Sequence, residues 1–392
     1  MIDATAETLA ESITQPEIEI YRTKAVEGLH IRPAHPGDDH QLVRLIAESM
    51  PSNGVLLSFE RYPSYFKATQ TQYEQPRVLV MVADEQPEKI LAMFNLGTRN
   101  CFINGIVKPL RYVGDLRIGK TTRGKGLINL LMSYVKNCLP LDEVYQTVIL
   151  NDNVVARKVL HENRPGVPAH YVADQVETHT LTGFKVKKEL NRNLSVANMT
   201  RGDISAVNRF IHHMADYYNF LPAYDFKGLV AQDPYWTGLS TNDFYIVKRG
   251  GQIVGLFGLW NQKPFKQTRI ADYSKLIAFV RPVYNYWAKL SHQLRLPQKG
   301  DTLNYMMLHS LLCNPYDNDL FENILRIAHQ KTCERKCYAL CFTLAENDPR
   351  RDCSKAIISQ KVQAIHAFHC FKDNPLKQFD AKRISYLECG RI

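Results

Sequence analysis

The feature that most restricts how this chain can fold is a pattern that occurs twice. Pro36-Gly37-Asp38 precedes Leu42, Leu45 and Ile46 at helical spacing, and roughly 165 residues later Thr200-Arg201-Gly202-Asp203 precedes Val207, Phe210, Ile211 and Met214. A hairpin pattern follows in each case. Val78 to Val82 and Ile90 to Leu96 flank a turn at Glu85 to Glu88, and Phe244 to Val247 and Ile253 to Phe257 flank Arg249-Gly250-Gly251-Gln252. A Gly-Gly pair between apolar runs is a strong hairpin signal, because both turn positions need positive φ. With 392 residues the chain exceeds what one core usually organises. Two copies of one fold account for that length better than two unrelated domains.

Further strands are expected at Arg111 to Ile118 and Val144 to Leu150, and helices at Leu127 to Cys138 and from Asn153 to Leu160. This order predicts an α/β fold in each half, a mostly antiparallel mixed sheet flanked by helices. The expected divisions are an N-terminal extension at 1–27, a first domain at 28–186, a linker at 187–193 and a second domain at 194–392.

The formal net charge of +10 favours anionic partners, either nucleic acid, a membrane surface or a polyphosphorylated small ligand. Its distribution is local. Arg99, Lys108, Arg111, Arg117, Lys120, Arg123 and Lys125 surround the single acid Asp115. No helix-turn-helix, zinc-finger or RNA-recognition signature accompanies them, so nucleic acid fits poorly. Nine cysteines without a disulfide-like or zinc spacing read as reduced thiols, and the N-terminus lacks a signal-peptide pattern. No apolar run approaches the roughly 20 residues of a membrane span. These features predict a soluble cytoplasmic protein with no membrane partner and no bound metal. His366 and His369 beside Cys370 read as surface helix histidines.

The sharpest local signal is Asp115-Leu116-Arg117-Ile118-Gly119-Lys120-Thr121-Thr122-Arg123-Gly124-Lys125-Gly126-Leu127. It places a strand, a turn with two nearby glycines and a helix start in succession. Glycines let a backbone approach a ligand closely, and a helix N-terminus offers unpaired N–H groups and partial positive charge. Pyrophosphate suits such a cradle. The pattern is neither a Walker loop nor a complete Rossmann fingerprint.

This segment resembles the strand, loop and helix of GNAT acetyltransferases, whose loop reads Q/R-x-x-G-x-G/A. Here the match runs from Thr121, where the family has Gln or Arg, through Gly124 and Gly126. Ile149-Leu150-Asn151-Asp152-Asn153-Val154-Val155-Ala156 is similar to the next family motif, a strand leading into N-x-x-A. The resemblance implies two tandem GNAT-like domains, the second degenerate, and acetyl-CoA or another acyl-CoA as co-substrate. By the same resemblance, the backbone of Leu116, Arg117 and Ile118 meets the pantetheine arm and the acyl oxygen. Thr121, Arg123, Gly124, Lys125, Gly126 and Leu127 would hold the pyrophosphate, and Asn153 and Ala156 the pantetheine arm. Asn153 also reads as an ordinary helix N-cap, and both roles are compatible.

Acyl transfer to an amine needs a proton acceptor and a donor for the developing oxyanion. Asp115, sharing a strand face with Arg117, either serves the amine or is paired with Arg111 or Arg117. The family's acid is a Tyr seven residues after the motif Asn, where this chain has Leu160. His161 and Tyr171 are the candidate substitutes. The corresponding loop of the second half, Cys313 to Asp319, lacks both glycines and carries two acids, which disfavours phosphate. The aromatic clusters at Gly258 to Gln267 and Tyr284 to Trp287 form either an acceptor wall or a strand end and an amphipathic helix with aromatics packed inward. An N-acyltransferase acting on an unidentified amine is the expected function, with the second half shaping the acceptor pocket or a homodimer. A non-catalytic CoA-binding or protein-interaction module is the alternative.

Overall fold

The computed structural model describes residues 20–24, 26–48, 54–123, 126–154, 156–157, 166–290 and 295–392. The first half contains β1 (Tyr21–Thr23), β2 (Val26–Pro33), α1 (Asp39–Ile46), β3 (Val55–Glu60), α2 (Tyr65–Thr69), β4 (Val78–Ala83) and β5 (Gln86–Asn95). It continues through β6 (Thr98–Ile103), β7 (Ile106–Tyr112), β8 (Gly114–Ile118), α3 (Leu127–Cys138), β9 (Tyr145–Leu150) and β10 (Ala169–Phe184). The second half contains β11 (Leu194–Asn198), α4 (Ile204–Met214), β12 (Tyr218–Asn219), β13 (Leu221–Pro222), α5 (Phe226–Ala231), β14 (Phe244–Arg249) and β15 (Gln252–Trp260). After these come β16 (Gln267–Tyr273), α6 (Lys275–Leu290), β17 (Met306–Cys313), α7 (Asn318–Glu334), β18 (Leu340–Ala345), β19 (Ile357–Cys370) and β20 (Ile384–Ser385).

Alternation decides what each strand buries. On β4, Val78, Val80 and Val82 pack with Leu42 and Ile46 of α1, whereas Leu79 and Met81 pack with Leu127, Leu130 and Leu131 of α3. The second half repeats this sandwich. Ile246 and Leu256 meet Val207 and Ile211 of α4, while Val247 and Phe257 meet Leu320 and Ile324 of α7. Helix entry is also shared: the Asp38 carboxylate accepts the His35 N–H (2.9 Å), and the Asp203 carboxylate accepts the Thr200 N–H (3.0 Å).

Strand pairing repeats as well. A short parallel contact joins β7 to β9 at Arg111↔Tyr145 and Tyr112↔Gln146, and another joins β17 to β18 at Met306↔Leu340 and Met307↔Cys341. The register between β5 and β8 moves from Asn95↔Gly114 to Met93↔Arg117, and that between β15 and β17 from Gly258↔His309 to Leu256↔Leu312. Each is a bulge with one extra residue on the second strand. Its positive φ falls on Asp115 (53°) in one half and Ser310 (49°) in the other.

The halves exchange their last long strands. β10 lies between β18 and β19, and β19 in turn pairs with β9, all antiparallel, inside an eleven-stranded sheet ordered β11-β14-β15-β17-β18-β10-β19-β9-β7-β6-β13. Of the remaining strands of the first half, five form a second sheet, β1-β2-β4-β5-β8, and β3 pairs with β16 of the second half.

Several expectations need correction. The first hairpin turns at Asp84-Glu85, because β5 begins at Gln86. The strand expected at Arg111 to Ile118 is two strands, broken at Val113. Residues 21–23 and 26–27, expected to belong to an extension, are strands of the five-stranded sheet. His366 and His369 are buried on β19 rather than exposed on a helix, and burial together with Arg99 lowers His366 to about 3. All nine cysteines are free thiols.

Because β10 and β19 each complete the other half, thermal unfolding is expected to be one cooperative transition. Every Trp lies in the second half. Far-UV circular dichroism, which reports the whole chain, and Trp fluorescence should therefore give the same midpoint; two separated midpoints would show halves that unfold independently.

Candidate functional site

At Val113 the strand pair β7 and β9 comes apart. The Val113 N–H still reaches the Gln146 carbonyl (2.9 Å), but from Gly114 onward β8 pairs with β5 and forms the edge of the five-stranded sheet. β9 continues against β19. The facing edges of β8 and β9 therefore diverge into a wedge. α3 follows β8 at its wide end. Among the described residues no side chain caps α3, whose N-cap is Gly126 at φ 75°. A Cβ at Gly126 would find room, so backbone conformation is what requires glycine there. Thr122 fixes the loop by donating its hydroxyl to the carbonyls of Leu91 (3.0 Å) and Gly119 (2.9 Å). Thr121 and Arg123 are exposed beside it. Gly124, Lys125, Leu160 and His161 lie outside the described residues.

Asp115 sits at the bulge with its carboxylate engaged by neither Arg111 nor Arg117. Tyr65 donates its hydroxyl to Oδ2 (3.0 Å), and Arg61 Nη2 stands 3.5 Å from Oδ1. Arg111 instead pairs with Glu143 and donates to the Leu96 carbonyl (2.8 Å). Arg117 donates to the Leu116 carbonyl (3.1 Å), and burial lowers its pKa. Leu116 and Ile118 pack toward the α3 core on the opposite face, as alternation requires. Burial and the neighbouring Asp115 both push the Tyr65 phenol well above its ordinary range. The same two causes raise Tyr73.

Tyr73 crosses the bulge so closely that it dictates two glycines. A Cβ at Gly97 would lie 2.2 Å from its ring, and one at Gly114 would lie 2.6 Å from its hydroxyl. That hydroxyl is buried with no hydrogen-bond partner among the described residues. Lys266 approaches from the second half, donating to the carbonyls of Gly390 (3.1 Å) and Ile392 (2.9 Å). Burial lowers its ammonium to about 7, with Arg61 adding and Asp115 opposing.

Asn153 accepts the Ala156 N–H at 3.1 Å, the N-cap geometry. Tyr171 is not brought to Asp115. It pairs with Phe368, Phe368 with Gln146, and Gln146 with Tyr112, so three strand spacings of about 4.8 Å separate Tyr171 from Tyr112. Arg61, Tyr65 and Tyr73 carry no sequence signal of their own, because only the fold brings them to the bulge, whereas Lys266 belongs to the Gly258 to Gln267 stretch for which an acceptor wall was one reading.

The equivalent wedge of the second half is filled by the chain itself. Glu388 accepts the N–H of Ser310 (2.8 Å) and the hydroxyls of Tyr224 (3.1 Å) and Tyr386 (3.1 Å). The cavity left among Leu308, Phe342, Arg350 and Glu388 is about 10 Å³, barely one water. At the start of α7 the Asp317 carboxylate caps the Leu320 N–H (2.9 Å), taking the place an anion would need.

Replacing Gly126 by Ala is expected to cost about 1–2 kcal/mol through its left-handed backbone, and Gly126→Asn less. Urea midpoints at constant m-value check this; an Ala variant as stable as the parent would contradict the geometry.

No family model matches the chain, and no curated protein matches it by sequence. Solved structures do match. A GCN5-related N-acetyltransferase from Sphaerobacter thermophilus is similar at 10% identity and TM-score 0.50, over 89% of this chain and 97% of that one. Saccharomyces cerevisiae N-myristoyltransferase, solved with bound myristoyl-CoA and inhibitors, is similar at 11% identity and TM-score 0.56, over 94% and 87%. The glucosamine N-acetyltransferase region of a fungal multi-domain β-N-acetylglucosaminidase is similar at 9% identity and TM-score 0.55, over 87% of this chain and 38% of that one. Identities this low speak for architecture, and over most of its length this chain has the GNAT-like fold that these acetyltransferases and N-myristoyltransferase share.

Proposed function

We propose that this chain is an acyl-CoA-dependent N-acyltransferase with its donor site in residues 28–186 and a degenerate second copy of the fold in residues 194–392. The observation that carries the proposal is the wedge between β8 and β9, opening beneath the N-terminus of α3, which no side chain among the described residues caps. A pantetheine arm is narrow and rich in amides, which suits two diverging strand edges. Pyrophosphate suits the helix N-terminus and the basic loop. Acetyl-CoA is the donor to assay first.

In this reading the neutral amine attacks the thioester carbonyl carbon. A C–N bond forms, the C–S bond breaks, and CoA leaves as a thiolate that takes up a proton. Asp115 receives the proton lost by the amine, and Tyr65 and Arg61 hold its carboxylate in place. Backbone N–H groups between Leu116 and Ile118 face the developing oxyanion. Tyr73, a buried hydroxyl donor beside the bulge, is the group available to protonate the thiolate. It takes the part for which the sequence offered His161 and Tyr171.

Acetyl-CoA is expected to stabilise the protein by about 2.7 kcal/mol at a hundredfold excess over Kd, a gain that Gly124→Glu removes. Asp115→Asn should retain this stabilisation while kcat falls about 10²–10⁴-fold across an amine panel. Retained stabilisation with no turnover by the parent protein would favour a CoA-binding module instead, a reading favoured by the engagement of Asp115 with Tyr65 and Arg61. Absence of any response to acetyl-CoA, other acyl-CoA donors or CoA would reject both.

A further inference from the structure

Among the described residues the helix α6 has no counterpart in the first half, and it presents a large apolar face to solvent. Leu276, Phe279, Val283, Tyr286, Trp287 and Leu290 are 54–84% exposed and recur at steps of one, three and four residues. The sequence had allowed these aromatics to pack inward. The opposite face does the anchoring instead: Asn285 bonds the carbonyl of Leu296 (2.8 Å) and its N–H (2.7 Å), Arg281 donates to the Pro297 carbonyl (2.7 Å), and Ala288 is buried. The helix is therefore held with its apolar face outward. Single exposed apolar residues are ordinary, but six on one helix are not.

We propose that α6 is a contact for an anionic lipid surface, lying in the interface with this face among the acyl chains. Charge selects the occupant. From Tyr273 to Gly300 the chain has no Asp or Glu but has Lys275, Arg281, Lys289, Arg295 and Lys299, of which Lys299 pairs with the flanking Asp272 (2.8 Å) and Arg281 lies on the anchoring face, within a protein of net charge +10. A second copy of the same face would oppose cation to cation, whereas an anionic bilayer complements it. Tyr and Trp on the apolar side suit the boundary between headgroups and acyl chains. No helix of the described residues is long and apolar enough to cross a membrane, and a surface contact needs none. The absence of a spanning segment, which set membranes aside in the sequence, therefore does not bear on this face. The proposal stands apart from the acyl-transfer reading.

The test uses the full chain with vesicles of phosphatidylcholine alone or containing phosphatidylserine. Trp236 and Trp260 are buried, so a change in Trp emission reports Trp287. Binding to the anionic vesicles should shift emission to the blue and co-sediment the protein. It should weaken in high salt and fall about tenfold or more in Phe279→Asp/Val283→Asp. Both substitutions are on the exposed face, and an unchanged circular dichroism spectrum would confirm the fold. No binding to anionic vesicles, or equal binding by the double variant, would overturn the proposal. So would a dimer dissociated by the same substitutions, or binding that emerges only after removal of the acidic residues 1–19, since either would identify a protein occupant.

Discussion

The backbone at Asp115 governs the rest of the site. A positive φ there costs a non-glycine residue about 1–2 kcal/mol, and it inserts one extra residue into β8. The ladder with β9 has ended just before it, at Val113, and the bulge lies where the strand runs against β5. The β9 edge that lies beyond Gln146 is left without β8 beside it, and that gap is the wedge. The surroundings hold the strain in place: Tyr65 and Arg61 grip the Asp115 carboxylate, and Tyr73 lies against Gly97 and Gly114 where no Cβ could stand. Position and chemistry thus come from the same residue, since the bend that opens the wedge also sets a carboxylate at its apex.

The second half makes the same bend at Ser310 and does something different with it. There the N–H at the bulge is taken by Glu388, a carboxylate carried in by the chain's last strand-to-helix segment, and the space closes to about 10 Å³. The neighbouring helix start is capped by Asp317. Its geometry follows the first half while its chemistry is self-satisfied. Residues 388–392 then continue toward the first half, where the Arg391 carbonyl meets Arg99 (3.2 Å) and the carbonyls of Gly390 and Ile392 meet Lys266. The closed wedge therefore helps to build the surroundings of the open one.

Much of this was legible in the sequence, for physical reasons that can be named. Continuous apolar runs such as Val78 to Val82 mark strands buried on both faces, the Gly-Gly pair at 250–251 marks the sharpest hairpin, and α3 has the limits its apolar spacing predicts. The strand exchange was not legible, because no local pattern in residues 169–184 or 357–370 says which strands flank them. The bulge hid for a related reason: Asp115 carries no mark of positive φ, and the strand reads as continuous. The partners of Asp115 were misplaced because sequence proximity favours Arg111 and Arg117, whereas Arg61 and Tyr65 arrive through a turn some 50 residues earlier. His366 and His369 read as exposed because histidine tolerates both settings, and the apolar spacing of α6 leaves open whether its aromatics pack inward or form a wall, because spacing alone cannot tell a core from an interface.

Hydrogen exchange with and without CoA, read by mass spectrometry, tests the central claim that one wedge is open to a ligand and the other is closed by the chain. Protection is expected only at residues 114–119 and the first turn of α3, with residues 308–313 unchanged. Protection at 308–313, or none at 114–119 under saturating CoA, would contradict it.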